Sequence, residues 1–244
     1  MSCKAIIFDY IGTLVNCRNY TMEASKQKLC NALAAEGFKV SERNFLDAYN
    51  LSHEKYRKVR YEELREVTNA VWVREALCNL GFDVKTDDAR VKAALNVFFQ
   101  DFIDALELRE DAKKLVKQAR EHSKVGLISN FTYAPVIYKS LRKIGLSGFF
   151  NVVVVSEEVG WRKPSPRIFE HALNKLQIQA SEAVYIGDSP NEDIKGAKQA
   201  GLKTVFVPSQ FNTLKDLKDS EQEPGYVTKD LTAICKSLDQ ILSL

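Results

Sequence analysis

The stretch Phe8-Asp9-Tyr10-Ile11-Gly12-Thr13-Leu14 follows a short apolar run, Ala5-Ile6-Ile7-Phe8, near the start of a chain of 244 residues. The apolar run is typical of a buried strand, predicted over residues 4–9, and Gly12 permits a tight turn directly after it. Asp9 therefore stands at the C-terminal end of a strand. That edge is where open parallel sheets place their chemical groups.

Three other motifs occupy comparable positions further along the chain. Val184-Tyr185-Ile186-Gly187-Asp188 is a second apolar run that ends in a carboxylate, and Asp193 lies five residues later. Ser129 and Asn130 follow a third apolar run. Lys163 stands in Gly160-Trp161-Arg162-Lys163-Pro164-Ser165-Pro166, just before a predicted helix, and its neighbour Arg162 is expected at the surface. Four motifs in this order, at predicted strand ends, indicate a chemical site.

Composition limits the class of protein. A hydrophobic share of 45% and a charged share of 27% are typical of a soluble globular chain. The net charge of +3 and the lack of a long basic run argue against a nucleic-acid partner. No apolar run approaches the ~20 residues of a membrane span, and because the chain starts almost directly with a strand we expect no signal peptide. Five scattered cysteines favour reduced thiols in a cytoplasmic protein.

The pattern along the chain predicts an α/β fold with an insertion. Strands and helices alternate from about residue 111 to the end, which predicts a doubly wound, Rossmann-like parallel sheet. Residues 21–105 show only helical patterns, at 22–36, 42–66, 71–80 and 87–105. We therefore expect a core domain of residues 1–16 and 107–244, and an inserted helical-bundle cap domain of residues 17–106. Residues 208–225 are expected to form a loop, and 191–200 and 229–242 to form helices.

Taken together, the four motifs resemble those of the haloacid dehalogenase (HAD) superfamily of hydrolases with a helical C1-type cap. The resemblance implies that Asp9 is the nucleophile and that Thr13 hydrogen-bonds and orients it. A carboxylate that attacks phosphorus divides one difficult displacement into two easier ones. The resemblance further implies that Ser129 binds the transferring phosphate, and that Lys163 steadies both the nucleophile and the phosphate oxygens.

The same resemblance implies a Mg²⁺ site. Mg²⁺ prefers oxygen ligands and usually takes one or two carboxylates together with phosphate and water. Asp9, Asp188 and the backbone carbonyl of Ile11 are the expected ligands, while Asp193 would either bind the ion or orient Asp188. The expected substrate-binding residues are Gly12, Ser129, Asn130 and Lys163.

Ile11 departs from the family pattern, because most phosphatases of the superfamily carry a second Asp at this position. That Asp protonates the leaving group and then activates water, and such help is typically worth ~10²–10⁴-fold in rate. Isoleucine can do neither, so we expect weak turnover unless another group takes over. By region alone the candidates are Asn16, Arg18, His53, Glu54 and Tyr56.

Other branches of the superfamily also lack this acid. Dehalogenases need no metal and lack the Gly-Asp pair that is present here, and Phe169 stands where they have Tyr. The cap of dehalogenases supplies an arginine to the site, and the sequence does not decide between Arg43, Arg57 and Arg60 for that role. Phosphonatases use a cap lysine, but Lys55 and Lys58 are expected on a solvated helix face. A non-catalytic phosphate-binding or protein-interaction module is the alternative from a different class.

Aromatic residues recur along the predicted cap helices. At helical spacing, Tyr49, Tyr56, Tyr61 and Trp72 are expected to pack in the cap core or at its interface. The family resemblance implies a Mg²⁺-dependent phosphatase of a small phosphorylated metabolite, with an aspartyl-phosphate intermediate on Asp9. A 2-haloacid dehalogenase-like hydrolase using the same Asp is the second enzymatic reading. We expect a monomer or homodimer with no nucleic-acid or membrane partner.

Overall fold

The computed structural model describes residues 3–244, so the first two residues of the predicted core segment lie outside the described residues. The strands are β1 Ala5–Phe8, β2 Val15–Cys17, β3 Leu106–Leu108, β4 Lys124–Ser129, β5 Val152–Val155, β6 Ala183–Gly187, β7 Lys203–Phe206 and β8 Tyr226–Val227. The helices are α1 Met22–Ala35, α2 Glu42–Glu62, α3 Asn69–Asn79, α4 Ala89–Phe98, α5 Gln100–Asp104, α6 Ala112–His122, α7 Ala134–Lys143, α8 Ser156–Val159, α9 Pro166–Leu176, α10 Lys195–Gln199, α11 Leu214–Asp219, α12 Leu231–Lys236 and α13 Leu238–Leu242. Across the described range, no helix is both long enough and apolar enough to cross a bilayer.

A parallel sheet forms the centre of the fold, with the strand order β5-β4-β1-β6-β7-β8. Strand β1 pairs with β4 on one side and with β6 on the other, so the chain changes direction across the sheet at β1. Both faces of β1 are covered: Ile6 and Phe8 pack into one apolar cluster, and Ala5 and Ile7 pack into another. A strand buried on both faces explains the continuous apolar run in the sequence. The predicted α/β fold with a parallel sheet is confirmed.

Helices α1 to α4 pack together as a separate group, in which α2 lies against α3 and α1 lies against α4. Buried side chains such as Leu33, Phe45, Trp72 and Leu95 form their shared apolar cluster. Val136 of α7 belongs to the same cluster, so this helical group rests on a helix of the sheet layer.

A short antiparallel ribbon of β2 and β3 joins the two ends of this helical segment. Cys17 pairs with Leu106, so the chain enters the helices after β2 and returns from them through β3. The sequence analysis did not predict this ribbon. Three-residue strands are too short to show a periodic pattern, and their pairing depends on residues that are far apart in the chain.

Tertiary contacts change the ends of several predicted elements. The predicted helix 42–66 ends at Glu62, because the next segment pairs with the core: the Glu66 amide donates to the Gly160 carbonyl, and the Arg162 amide donates to the Leu64 carbonyl. The predicted helix 87–105 divides into α4 and α5, and the predicted helix 229–242 divides into α12 and α13. The predicted helix 191–200 begins with a π-helical turn over Pro190–Ile194, and the expected loop 208–225 contains α11.

We expect the Leu127→Ala substitution to lower the free energy of unfolding by about 2–5 kcal/mol, since it removes a buried side chain and leaves a cavity. Leu127 lies in β4, next to β1, and is fully buried. The matched control is Leu51→Ala on α2, because Leu51 is 71% exposed. That change should stay within about 0.5 kcal/mol of the parent protein. Denaturant unfolding of both variants measures the difference, and equal losses would contradict the described core.

Candidate active site

The C-terminal ends of three neighbouring strands meet at one edge of the sheet. Asp9 directly follows β1, Ser129 is the last residue of β4, and Asp188 directly follows β6. Together with Lys163 and Asp193 they line a cavity of about 470 Å³, hereafter the site cavity. This edge lies where the strand order reverses, which is the usual position of a ligand site in an open α/β sheet.

The ammonium group of Lys163 lies at the centre of the buried polar groups. Its Nζ donates to Oδ1 of Asp9 at 2.7 Å and to Oδ1 of Asp193 at 2.6 Å. Lys163 is only 2% exposed. Burial alone would lower the pKa of Lys163, but the negative charges of Asp193 and Asp9 outweigh it and raise that pKa well above its ordinary value. Lys163 therefore stays protonated at neutral pH.

The two carboxylate oxygens of Asp9 differ, because one is hydrogen-bonded and the other has no partner. Oδ1 accepts the hydrogen bond from Lys163, whereas Oδ2 is buried without a hydrogen-bond partner among the described residues. Burial raises the pKa of Asp9 well above its ordinary value; Lys163 opposes this shift, and the charges of Asp193 and Asp188 add to it. A buried carboxylate oxygen with no donor is a costly arrangement, and it points to a missing electropositive partner.

The acidic cluster fits a divalent cation. Asp9, Asp188 and Asp193 are all buried, and each offers a carboxylate oxygen within 4.8 Å of the other two. Lys163 offsets only one of these three negative charges. Burial, with Asp193 adding to it, also raises the pKa of Asp188. A hard cation bound by carboxylate oxygens of this cluster would offset the excess negative charge.

Asp188 is fixed by three side-chain hydroxyl and amide donors. The hydroxyl of Thr13 donates to Oδ1 at 3.2 Å, while Ser209 and Asn212 donate to Oδ2 at 2.6 and 3.0 Å. The expectation that Thr13 hydrogen-bonds Asp9 is therefore wrong. Thr13 lies in the turn after β1, and there its hydroxyl meets the carboxylate that follows the neighbouring strand β6 instead.

Gly12 is needed for the close approach of that turn to Asp188. Its φ angle is +102°, in the region that favours glycine. An added Cβ would lie 2.5 Å from Oδ2 of Asp188. Arg109, which follows β3, donates to the carbonyl oxygens of Gly12 and Thr13 and so holds the turn from the other side.

Ser129 and Asn130 occupy adjacent positions and both line the site cavity. Ser129 is 2% exposed and lines the site cavity. Its hydroxyl is therefore at a position where a ligand in the cavity can meet it. The Asn130 amide nitrogen donates to the Lys163 carbonyl and to Glu192, and its oxygen accepts from the Lys163 amide at 2.8 Å. Asn130 therefore holds the backbone of Lys163 in place as well as lining the cavity.

Ile11 lines the site cavity, so an acid at this position would face the reacting groups. The sequence suggests five residues, by their region alone, as replacements for the missing acid: Asn16, Arg18, His53, Glu54 and Tyr56. None of them lines the site cavity, and His53 lines a second cavity beside it. Tyr56 instead donates to Glu75.

The expectation that Arg162 lies at the surface is wrong, since it is 3% exposed. Its Nη2 donates to Glu192 at 3.0 Å, and its guanidinium lies 4.4 Å from the centre of the Tyr61 ring. The side chain of Glu66 is fully buried, lies 3.6 Å from Nη1 of Arg162 and accepts from Arg60 at 2.6 Å. Because these partners come from α2, the loop after it and the turn after β6, the local sequence gives no sign that Arg162 is buried.

The helical segment covers the site cavity through Arg60, Tyr61 and Phe102. Among the three arginines that the sequence left open, Arg60 alone lines this cavity within the described residues. Lys55 and Lys58 lie on exposed helix surface, as predicted.

Sequence reasoning missed several residues that shape the site. Glu192 lies between Asp188 and Asp193, so its position in a recognised motif was a usable signal. The others stand in segments without a motif, and only the folded chain brings them to the site. They are Glu66, Arg109, Ser209 and Asn212.

The comparisons with known proteins agree on one family. The family model for haloacid dehalogenase-like hydrolases matches residues 3–201. A glyceraldehyde 3-phosphate phosphatase from Methanopyrus kandleri is 30% identical over 211 residues, which cover 84% of this chain and 83% of that protein. A ribulose-1,5-bisphosphate 5-phosphatase from Halopiger xanaduensis is 30% identical over 182 residues, covering 70% of this chain and 76% of that protein.

A solved structure supports the fold independently. The crystal structure of a 2-haloacid dehalogenase from Pseudomonas syringae pv. Tomato DC3000 aligns with a TM-score of 0.69 and covers 98% of both chains. Sequence identity in this alignment is 21%, so the likeness concerns the fold alone.

We expect the Gly12→Ala substitution to destabilise the protein more than Gly37→Ala does. Both glycines have a positive φ, 102° and 92°, so each substitution carries a backbone cost of about 1–2 kcal/mol. Gly37 has open space around its Cβ position, whereas Gly12 would meet the Asp188 carboxylate, which its hydrogen bonds hold in place. The two free energies of unfolding, compared by denaturant titration, test this packing. Equal losses would contradict it.

Proposed function

The chain belongs to the haloacid dehalogenase-like hydrolase family, and on that premise we propose that it is a Mg²⁺-dependent phosphatase of small phosphorylated metabolites. One observation carries the proposal: the buried Asp9 carboxylate has one oxygen fixed by Lys163 and the other without a partner. The unpartnered oxygen belongs to a residue that lines the site cavity. A carboxylate oxygen without a partner is available to act as a nucleophile.

In the first step, Oδ2 of Asp9 attacks the phosphorus in line with the leaving group. A P–O bond forms to Asp9 while the P–O bond to the leaving group breaks, and the leaving oxygen departs with the electron pair. Lys163 and the hydroxyl of Ser129 hold the phosphoryl oxygens as charge develops on them. The leaving oxygen takes its proton from water, because Ile11 has none to give.

In the second step, a water oxygen attacks the phosphorus of the aspartyl phosphate. The bond to Oδ2 breaks, Asp9 recovers its carboxylate, and the proton of the water passes to the released phosphate. Without a base at position 11, this water is not activated from that side. We therefore infer that both steps are slower than in phosphatases that carry the second Asp.

The proposed metal ligands are Asp9, Asp188 and the backbone carbonyl of Ile11. Bound there, Mg²⁺ would reduce the repulsion between the Asp9 carboxylate and the phosphate. Both oxygens of Asp193 already accept hydrogen bonds, from Lys163 and Tyr185 at Oδ1 and from the Ser189 amide at Oδ2. We accordingly propose that Asp193 orients the groups around the ion.

The names of two relatives agree with the proposal, since both are phosphatases of small phosphorylated compounds. We also propose that residues 17–106 act as a cap that excludes water and selects the substrate.

Because all five cysteines are free thiols in the described structure, we propose a reducing, cytoplasmic location.

Orthophosphate release from a panel of phosphorylated metabolites tests the function. We expect release in Mg²⁺ that is lost in EDTA, and a loss of at least about a thousandfold for Asp9→Asn, because the amide cannot act as the nucleophile. Halide release from 2-haloacids that resists EDTA would replace the proposal with a dehalogenase. Thermal stabilisation by phosphate compounds without any turnover would indicate a binding module instead.

Replacing Ile11 with Asp tests whether this position limits the rate. We expect turnover to rise by up to about 10²-fold, because the new carboxyl faces the site cavity and can transfer protons. Ile11→Asn is the matched control, since it has the same shape without an acid, and it should give no gain. Steady-state kcat of the two variants decides, and no gain for Ile11→Asp would show that another group already supplies the proton.

A further inference from the structure

We propose, on the basis of the phosphatase function above, that the substrate is a phosphomonoester whose leaving group is a flat ring bearing a hydrogen-bond acceptor. The ring would enter a second cavity between the helices of the predicted cap. We call it the aromatic cavity, and its walls include Tyr49, His53, Trp72, Phe99 and Phe102.

The aromatic cavity lies directly beside the site cavity. Its volume is about 300 Å³, within the range of small-molecule sites. Several residues line both cavities, so the two spaces share a wall. These residues are Arg60, Tyr61, Phe102, Asn130 and Phe131. The proposal therefore places the phosphate at Asp9 and the leaving group on the far side of these shared residues, among the rings.

Flat side chains form most of the inner surface. The rings of Tyr49 and His53 are parallel, with an angle of 1° between their planes. The rings of His53 and Trp72 are close to perpendicular, with centroids 5.2 Å apart. On the side shared with the site cavity, Phe102 and Phe131 are in contact, with centroids 5.3 Å apart. A flat ring can stack on some of these surfaces and meet others edge to face.

One polar atom in the wall lacks a partner. Trp72 is 2% exposed; its Nε1 lies near the Tyr49 hydroxyl but makes no hydrogen bond of good geometry within the described residues. A buried N–H without an acceptor is unfavourable, and native structures rarely leave one unexplained. An acceptor atom on the bound ring would satisfy it. The pKa of His53 is lowered by burial and by the positive charge of Arg60, so its imidazole is uncharged at neutral pH.

The sequence analysis expected Tyr49 and Trp72 to pack in the core of the helical segment, and they do belong to its apolar cluster. Both positions are compatible, since these side chains contact the apolar cluster on one side and line the cavity on the other. A cavity of this size next to the reacting groups is better explained as a substrate subsite. A leaving group of two or three carbons would have no ring to place against these walls.

The first test compares benzyl phosphate with ethyl phosphate. Their leaving alcohols have similar basicity, so the chemical step is comparable and the difference reports on the ring. We expect kcat/KM to be at least about tenfold higher for benzyl phosphate. Cyclohexylmethyl phosphate separates a flat ring from a bulky apolar group and should fall below benzyl phosphate. Orthophosphate release measures kcat/KM for each ester. Equal values for the three esters would overturn this inference but would still support the phosphatase function.

The second test examines the Trp72 donor. Pyridylmethyl phosphates carry an acceptor nitrogen on the ring, and at least one positional isomer should exceed benzyl phosphate in kcat/KM. Trp72→Phe keeps an aromatic ring but removes the N–H, so the ratio of pyridylmethyl to benzyl kcat/KM should fall towards one. Trp161→Phe is the matched control, because Trp161 is the other tryptophan of the chain and lines neither cavity. An unchanged ratio in Trp72→Phe would contradict the proposed hydrogen bond.

A binding measurement keeps the inference testable if no ester is hydrolysed. That result would overturn the phosphatase proposal but leave the aromatic cavity to be examined separately. In the Trp161→Phe protein, Trp72 is the single tryptophan, and its fluorescence reports on the cavity directly. Titration with benzylphosphonate should change this emission, whereas ethylphosphonate should not. No response to benzylphosphonate, or an equal response to both, would overturn the inference independently of turnover.

Discussion

The ion pairs of the buried Lys163 ammonium are the interaction on which the site depends. Asp9 follows β1, Asp193 lies in the π-helical turn after β6, and Lys163 precedes α9, so one cation ties three separate segments together. Without it, three buried carboxylates would face one another with no compensating charge. Removal of one partner from a buried ion pair typically costs about 3–5 kcal/mol. The same group that offsets the charge of this acidic cluster also fixes the Asp9 carboxylate through its Oδ1 atom, so stability and the proposed chemistry share one contact.

A second set of charges connects the helical segment to the site. The side chain of Glu66 is fully buried and lies between Arg60 of α2 and Arg162, and Arg162 in turn contacts Glu192 near the acidic cluster. The amide of Arg162 also donates to the Leu64 carbonyl, so backbone and side chain are tied to the same loop. The position of the helical segment is therefore linked to the residue that precedes Lys163.

Ile11 and the aromatic cavity give this chain a less polar site than its motifs alone suggest. An apolar side chain occupies the position where a second carboxylate is usual, and rings line the adjoining cavity. An apolar wall excludes water and strengthens the remaining electrostatic contacts, but it cannot move protons. The expected result is a site that binds its substrate through shape and fixed charge, with slow proton transfer.

The sequence alone predicted the parallel α/β fold, the helical insertion and the residues at the sheet edge. These features depend on local patterns: a strand buried on both faces is apolar throughout, and Asp9, Ser129 and Asp188 stand at strand ends whose order along the chain is visible. The tertiary structure alone decided that Thr13 contacts Asp188, that Arg162 is buried, that β2 pairs with β3, and that the rings of α2 and α3 line a cavity. Each of these features depends on contacts between segments that are distant in the chain. The energy of such a contact depends on where both partners lie in the folded protein, and a local sequence pattern does not contain that information.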